Sequence, residues 1–151
     1  MRFICVDITT LNSNKSLDSV SSIGLLIGDT DNEDTEFTEL SIIQPLYTVE
    51  PFMIETAISE FSDILNENTE KYYIDNLSPR IYQYLGDNEV SYSEELMIVT
   101  SNIKDRLNIL DKLFGKYNVD YVNLRVDRSG RKSDICNRQA ELFREFSRLF
   151  L

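Results

Sequence analysis

The front of the chain constrains the fold most. Residues 2–8 (RFICVDI) form an apolar run rich in β-branched side chains, with one carboxylate, Asp7, near its end. A run of that length, bounded by a largely polar stretch, reads as a strand covered on both faces. Two further runs, 20–28 (VSSIGLLIG) and 36–44 (EFTELSIIQ), read as strands as well. The link between them, 29–35 (DTDNEDT), reads as a polar hairpin turn. Its acids loosely follow a calcium loop, but Asp34 stands where that loop needs glycine and Leu40 where it needs a bidentate glutamate.

Downstream the apolar period lengthens. Over 51–65, Met53, Ile54, Ala57, Ile58, Phe61, Ile64 and Leu65 recur at helical spacing behind Pro51, which predicts an amphipathic helix. Residues 71–75 (KYYID) read as a short fourth strand. Ser78-Pro79 offers an N-cap and first-turn proline to a short helix ended by Gly86. Ser91-Tyr-Ser-Glu94 has the spacing of a capping box, and Leu96, Val99, Ile103, Leu107, Leu110 and Phe114 follow as a helical stripe. Residues 96–100 fit a strand equally, because so short a run has no decisive period. Residues 119–126 place Val122, Leu124 and Val126 on one face of a strand. The linker 127–133 then leads to a final helix, 134–150, with Ile135, Leu142, Phe143, Phe146, Leu149 and Phe150 on one stripe. The order βββαβα(α)βα, without repeat or dividing linker, predicts a single α/β domain: a mixed sheet with helices packed on it.

Composition removes whole classes of chemistry. The chain of 151 residues has no histidine, which excludes His-dependent triads and His-containing zinc sites. No phosphate-binding glycine loop, paired-cysteine motif or dinucleotide fingerprint occurs. Cys5 and Cys136 cannot build a disulfide framework, no apolar run reaches the ~18 residues of a membrane span, and the start lacks a cleavage pattern. A cytoplasmic setting, cellular or viral, is the expectation. The Ile-, Asn-, Asp- and Tyr-rich composition fits an AT-rich coding genome such as a phage's. Any catalysis falls to carboxylates with a divalent metal.

The formal net charge of −11 opposes broad attraction to nucleic acid. The charge is unevenly spread. Residues 1–70 hold 14 acids against Arg2 and Lys15, net −12, whereas residues 71–151 hold 12 acids and 13 bases, net +1. Within 125–148 seven bases (Arg125, Arg128, Arg131, Lys132, Arg138, Arg144, Arg148) face four acids, net +3. The basic C-terminal region is thus the place to meet nucleic acid, and the acidic first half the place to meet a basic partner protein. Arg128, Arg131 and Lys132, beside Gly130 at a helix entrance, are the candidate phosphate-binding residues. A solvated basic loop is their ordinary role.

Asp7 with Ile23-Gly24 resembles the first motif of the DEDD (DnaQ-like) 3′–5′ exonucleases, in which a strand ends in Asp-x-Glu and an Ile-Gly follows on the second strand. The element order is that of the wider RNase H-like fold. The resemblance implies a site for two divalent ions, magnesium or manganese, about 4 Å apart and bridged by carboxylates. It implies Asp7 as central ligand, Asp75 at the end of the fourth strand beside it, and Asp134 at the start of the last helix as the family's last aspartate. Glu55 or Glu60 would serve in an arrangement closer to RNase H itself. The chain departs from the pattern in three places. Thr9 replaces the glutamate; no His or Tyr occurs between Asp127 and Asp134, Ser129 standing five residues before Asp134; and an Asn-x-Phe-Asp-like second motif is not visible around Asp75-Asn76. A neutral hydroxyl at Thr9 cannot supply the charge that holds magnesium. The departures imply impaired or lost hydrolysis, or an inactive binding or assembly module.

Overall fold

The computed structural model describes residues 1–10, 20–31, 40–43, 70–71, 74–125 and 135–151. The predicted helix over 51–65, with Glu55 and Glu60, lies outside the described residues, as do most of the 29–35 turn and the segment 126–134. The strands are β1 (Arg2–Thr10), β2 (Val20–Asp29), β3 (Leu40–Ile43), β4 (Glu70–Lys71), β5 (Glu95–Thr100) and β6 (Asn118–Asn123). The helices are α1 (Ile74–Asp87), α2 (Ile103–Phe114) and α3 (Ile135–Phe150). One mixed sheet orders them β4-β3-β2-β1-β5-β6. β1 pairs antiparallel with β2 and parallel with β5, and β5 pairs parallel with β6.

β1 is central, and this accounts for its unbroken apolar sequence: a strand buried on both faces has no polar side to show. Ile4, Val6 and Ile8, with Ile23, Leu25, Ile27, Leu96 and Ile98 of the adjoining strands, face α1 and α2. There they meet Leu77, Ile81 and Leu85 of α1 and Ile109, Leu110, Leu113 and Phe114 of α2. Phe3 and Cys5, with Val99, Leu124 and part-buried Met97, face α3 through Leu142 and Phe146. The layers are helix, sheet, helix. Leu107, expected in the α2 stripe, is 43% exposed, because burial follows 109-110-113-114 instead.

Three local expectations change. The described part of β4 is Glu70–Lys71, and α1 begins at Ile74, so Ser78-Pro79 lies inside the helix rather than at its start. Pro79 falls in the second turn, where it removes the helical hydrogen bond to the residue 75 carbonyl. An ion pair, Arg80 Nε to Glu70 Oε2 at 2.9 Å, ties α1 back to β4. The capping-box bond also forms, Ser91 N–H donating to Glu94 Oε1 at 2.7 Å, yet it opens β5 and not a helix. Pairing with β1 and β6 settles the choice that periodicity left open over 96–100. β6 ends at Asn123, and Leu124 is buried just past it, its N–H donating to the Thr100 carbonyl at 2.8 Å.

Candidate functional site

In register, Asp7 of β1 stands opposite Gly24 of β2, and Thr9 opposite Ser22. Paired residues of a ladder send their side chains to one face. On that face α3 comes down at Gly24, where an added Cβ would lie 2.3 Å from Gln139 Oε1 and 2.6 Å from its Cδ. Asp7 and the Gln139 amide are therefore neighbours beneath α3, and the Ile23-Gly24 pair makes the gap that admits the helix. Four residues on, Phe143 reaches Gly28 and the Phe3 ring. So α3 runs from the level of Asp7 toward the start of β1, and its N-terminal end points to the C-terminal end of β1.

The buried polar side chains among the described residues are Asp7 (6% exposed), Ser22, Thr100 and Gln139. All four gather at this end. Thr100 Oγ donates to the Val6 carbonyl at 2.8 Å, one residue from Asp7. Polar groups are costly to bury, and Ser22 Oγ has no hydrogen-bond partner among the described residues, so their concentration marks this end as built for something other than packing. It is also where the parallel strands β1, β5 and β6 finish. In open α/β sheets that crevice is where ligands bind.

α2 closes the site from the other side. Asn102 adopts a left-handed conformation (φ 57°, ψ 46°), which asparagine accepts more readily than most residues, and turns the chain from β5 into the helix. Its missing cap comes from β6: Ile103 N–H donates to Asn123 Oδ1 at 3.0 Å. One turn in, half-buried Arg106 donates through Nη1 to Thr10 Oγ1 at 3.1 Å. Burial pulls the Arg106 pKa below the ordinary guanidinium value, and the charges of Asp7 and Asp105 oppose that shift. Arginine stays protonated under such conditions, so the α2 side of this end carries a fixed cation.

The structure places the expected residues unevenly. Asp7 is buried in β1, which runs on to Thr10 rather than ending at the expected residue 8. The idea of a fourth strand beside it is corrected: β1 has β2 and β5 for neighbours, while β4 lies at the sheet's far edge. Asp75 falls in the first turn of α1, and its side chain is outside the described ones. Asp134, Arg128, Arg131 and Lys132 lie in 126–134, outside the described residues, in the segment joining the end of β6 to the start of α3. Sequence reading missed Asp105, Arg106 and Gln139. The signals existed. Asn102-Ile-Lys-Asp105 has the Asn-x-Phe-Asp spacing with Lys104 in place of Phe, directly after the strand that pairs with β1. Gln139 interrupts the apolar stripe of the last helix between Ile135 and Leu142-Phe143.

The described residues contain no group of three acids or cysteines able to hold a metal ion. Among the described residues, the side chains that share the face of Asp7 are the hydroxyls of Thr9 and Ser22 and the Gln139 amide. Those described side chains alone do not fit two divalent ions, which need several converging carboxylates. Among the described residues no helix is long and apolar enough to cross a membrane.

Solved structures similar to this chain include two of exonuclease I. The product-bound structure of exonuclease I at 1.5 Å resolution matches with a TM-score of 0.56 and 11% identity, over 82% of this chain and 30% of that one. The exonuclease I structure that suggests how processivity is achieved matches with a TM-score of 0.51 and 10% identity, over 82% and 28%. The chain has an RNase H-like fold. It spans under a third of the length of the exonuclease I chains. No family model and no curated protein matches the sequence. Within this RNase H-like frame, Gly24→Ala is expected to cost about 1–3 kcal/mol, because the new methyl meets a fully buried amide. Urea unfolding checks it, and adding Gln139→Ala should recover part of the loss, as contacting residues do not add.

Proposed function

We propose that this chain is an exonuclease-like protein of nucleic-acid metabolism that holds nucleic acid at the C-terminal edge of its sheet and has lost metal-dependent phosphodiester hydrolysis. The observation that carries the reading is the setting of Asp7. A fold shared with exonuclease I keeps an aspartate buried at the end of its central strand. Among the described residues, Thr9, Ser22 and Gln139 stand on the face of that aspartate and bring hydrogen-bonding capacity and no negative charge. Such a lining can hold a sugar or base edge through neutral hydrogen bonds. By itself it does not gather the charge that hydrolysis through two ions requires.

The basic segment supports the same reading. Arg128, Arg131 and Lys132 belong to the stretch that links the end of β6 to the start of α3, and both of those ends lie at the Asp7 edge. With an overall charge of −11, binding has to be local and sensitive to salt. The test is anisotropy of an end-labelled single-stranded oligonucleotide in EDTA, followed by addition of Mg²⁺ or Mn²⁺. Binding should weaken with salt at a log–log slope of about −2, as expected for roughly three phosphate contacts at about −0.7 each. Replacing Arg128, Arg131 and Lys132 with glutamine should remove most of it, and the oligonucleotide should stay full length in either metal. Shortening that depends on Asp7 would overturn the loss of hydrolysis.

The net −12 of residues 1–70 favours a second reading, an acidic module docked on a basic protein. That reading requires a complex retained at low salt and released as salt rises, with no oligonucleotide binding.

A further inference from the structure

At the end of the sheet where β5 and β6 begin, opposite the Asp7 edge, three tyrosines gather. Tyr82 comes from the second half of α1, Tyr92 from the connection into β5, and Tyr117 from the residue before β6. Their ring centroids lie 4.6 Å apart for Tyr92 and Tyr117, 5.7 Å for Tyr82 and Tyr117, and 6.4 Å for Tyr82 and Tyr92. Tyr117 is buried against the core, whereas Tyr92 is 55% exposed. A short turn holds Tyr92 in place: Ser91 N–H donates to Glu94 Oε1 at 2.7 Å, and Ser93 N–H to Ser91 Oγ at 3.3 Å.

This end of the molecule draws cations. Both α1 and α2 finish here, so their free carbonyls and dipoles present partial negative charge. α1 has no base in its last turn to offset it. Residues 82–95 contain Asp87, Glu89, Glu94 and Glu95 and no lysine or arginine. Two of the chain's own cations already sit here. Arg2 donates through Nη1 to the Asn88 carbonyl and lies 3.9 Å from Glu94, and Lys116 Nζ stands 5.2 Å from the Tyr82 ring centroid. Those contacts use Glu94 and the Tyr82 ring. Asp87 and Glu89 are exposed and have no ion pair among the described residues, and Glu89 is three residues from Tyr92.

We propose that Tyr92, with Asp87 and Glu89, is a docking surface for an arginine side chain of a partner protein. It stands apart from nucleic-acid binding at the Asp7 edge. A guanidinium is planar, so it stacks on an exposed ring while its edge donors serve carboxylates. The Tyr92 ring is backed by Tyr117 and fixed by its turn, so little ordering is needed on binding. A phosphate is the wrong occupant, because it would meet two helix C-termini and these acids.

The test uses the full chain labelled with ¹⁵N, and reads amide chemical shifts on titration with blocked tetra-arginine, blocked tetra-lysine or a single-stranded oligonucleotide. Tetra-arginine should shift the amides of 87–95 and 116–118 in a saturable, salt-sensitive way. It should bind at least about threefold more tightly than tetra-lysine. Tyr92→Ala leaves the net charge unchanged and should weaken tetra-arginine at least about threefold, whereas Tyr92→Phe keeps the ring and should bind as wild type does. Asp87→Asn with Glu89→Gln should weaken it as well and flatten its salt dependence. Shifts centred on the acidic first half, or none that saturate over 87–95, would overturn the proposal. So would equal affinity in wild type and Tyr92→Ala, or equal affinity for tetra-lysine. Shifts of the same amides by the oligonucleotide would make the tyrosines a base-stacking platform and overturn it too.

Discussion

Phe3→Ala should lower the unfolding free energy by about 3–5 kcal/mol, the range for removing a large buried aromatic side chain. Phe3 is fully buried on the α3 face of β1, with its ring centroid 4.4 Å from that of Phe146 and 5.3 Å from that of Phe143. Gly28 opposite makes the room, since a Cβ there would fall 2.3 Å from Phe3 Cζ and 2.6 Å from Phe143 Cε2. The ring is thus the main clamp between α3 and the sheet, in a cluster that also has Cys5, Val99, Leu124 and Leu142. Against a typical total of about 5–15 kcal/mol, the loss takes a large share of the fold's stability. Urea unfolding followed by circular dichroism reads it directly. The consequence reaches the site, because α3 also carries Gln139 over Asp7. Loosening the clamp should therefore weaken oligonucleotide binding at denaturant concentrations that leave wild type folded.

What could be read from the sequence followed from how local its cause is. β1 and β2 were legible because burial on both faces demands a continuous apolar run, and 2–8 and 20–28 are such runs. α3 was legible from its 3.6-residue stripe, and its described span, Ile135–Phe150, falls within the expected 134–150. The stripe was also misleading at its end, where Phe150 is 60% exposed, although it stacks on Phe146. Over 91–100 two local signals competed. The capping-box geometry at Ser91 and Glu94 is real, but a ladder with β1 on one side and β6 on the other outweighs it. Nothing local reports which strand lies beside which. Chain order suggested the fourth strand for Asp7's neighbour, and pairing gave that place to the fifth. The same reason hid Arg106, whose hydrogen-bond partner Thr10 is 96 residues away in the chain. Thr9, by contrast, was visible from the start. The structure adds that, among the described residues, the neighbours of Asp7 on its own face, Ser22 and Gln139, supply no replacement acid.

Asp7→Asn tests the sign of the electrostatics at the centre of this account. Asp7 is buried, and it opposes a cation that is itself half-buried. Neutralising Asp7 leaves the Arg106 charge less compensated, and a buried polar group that loses a favourable partner costs about 1–3 kcal/mol. A site assembled from carboxylates to hold metal behaves in the opposite way. Without metal its acids repel one another, and removing one charge relieves the strain. The decisive measurement is urea unfolding of wild type and Asp7→Asn at pH 7, once in EDTA and once in Mn²⁺. The account predicts that Asp7→Asn is less stable than wild type by about 1–3 kcal/mol in both, with Mn²⁺ stabilising neither. An Asp7→Asn variant more stable than wild type in EDTA, beside a wild type that Mn²⁺ stabilises, would contradict it.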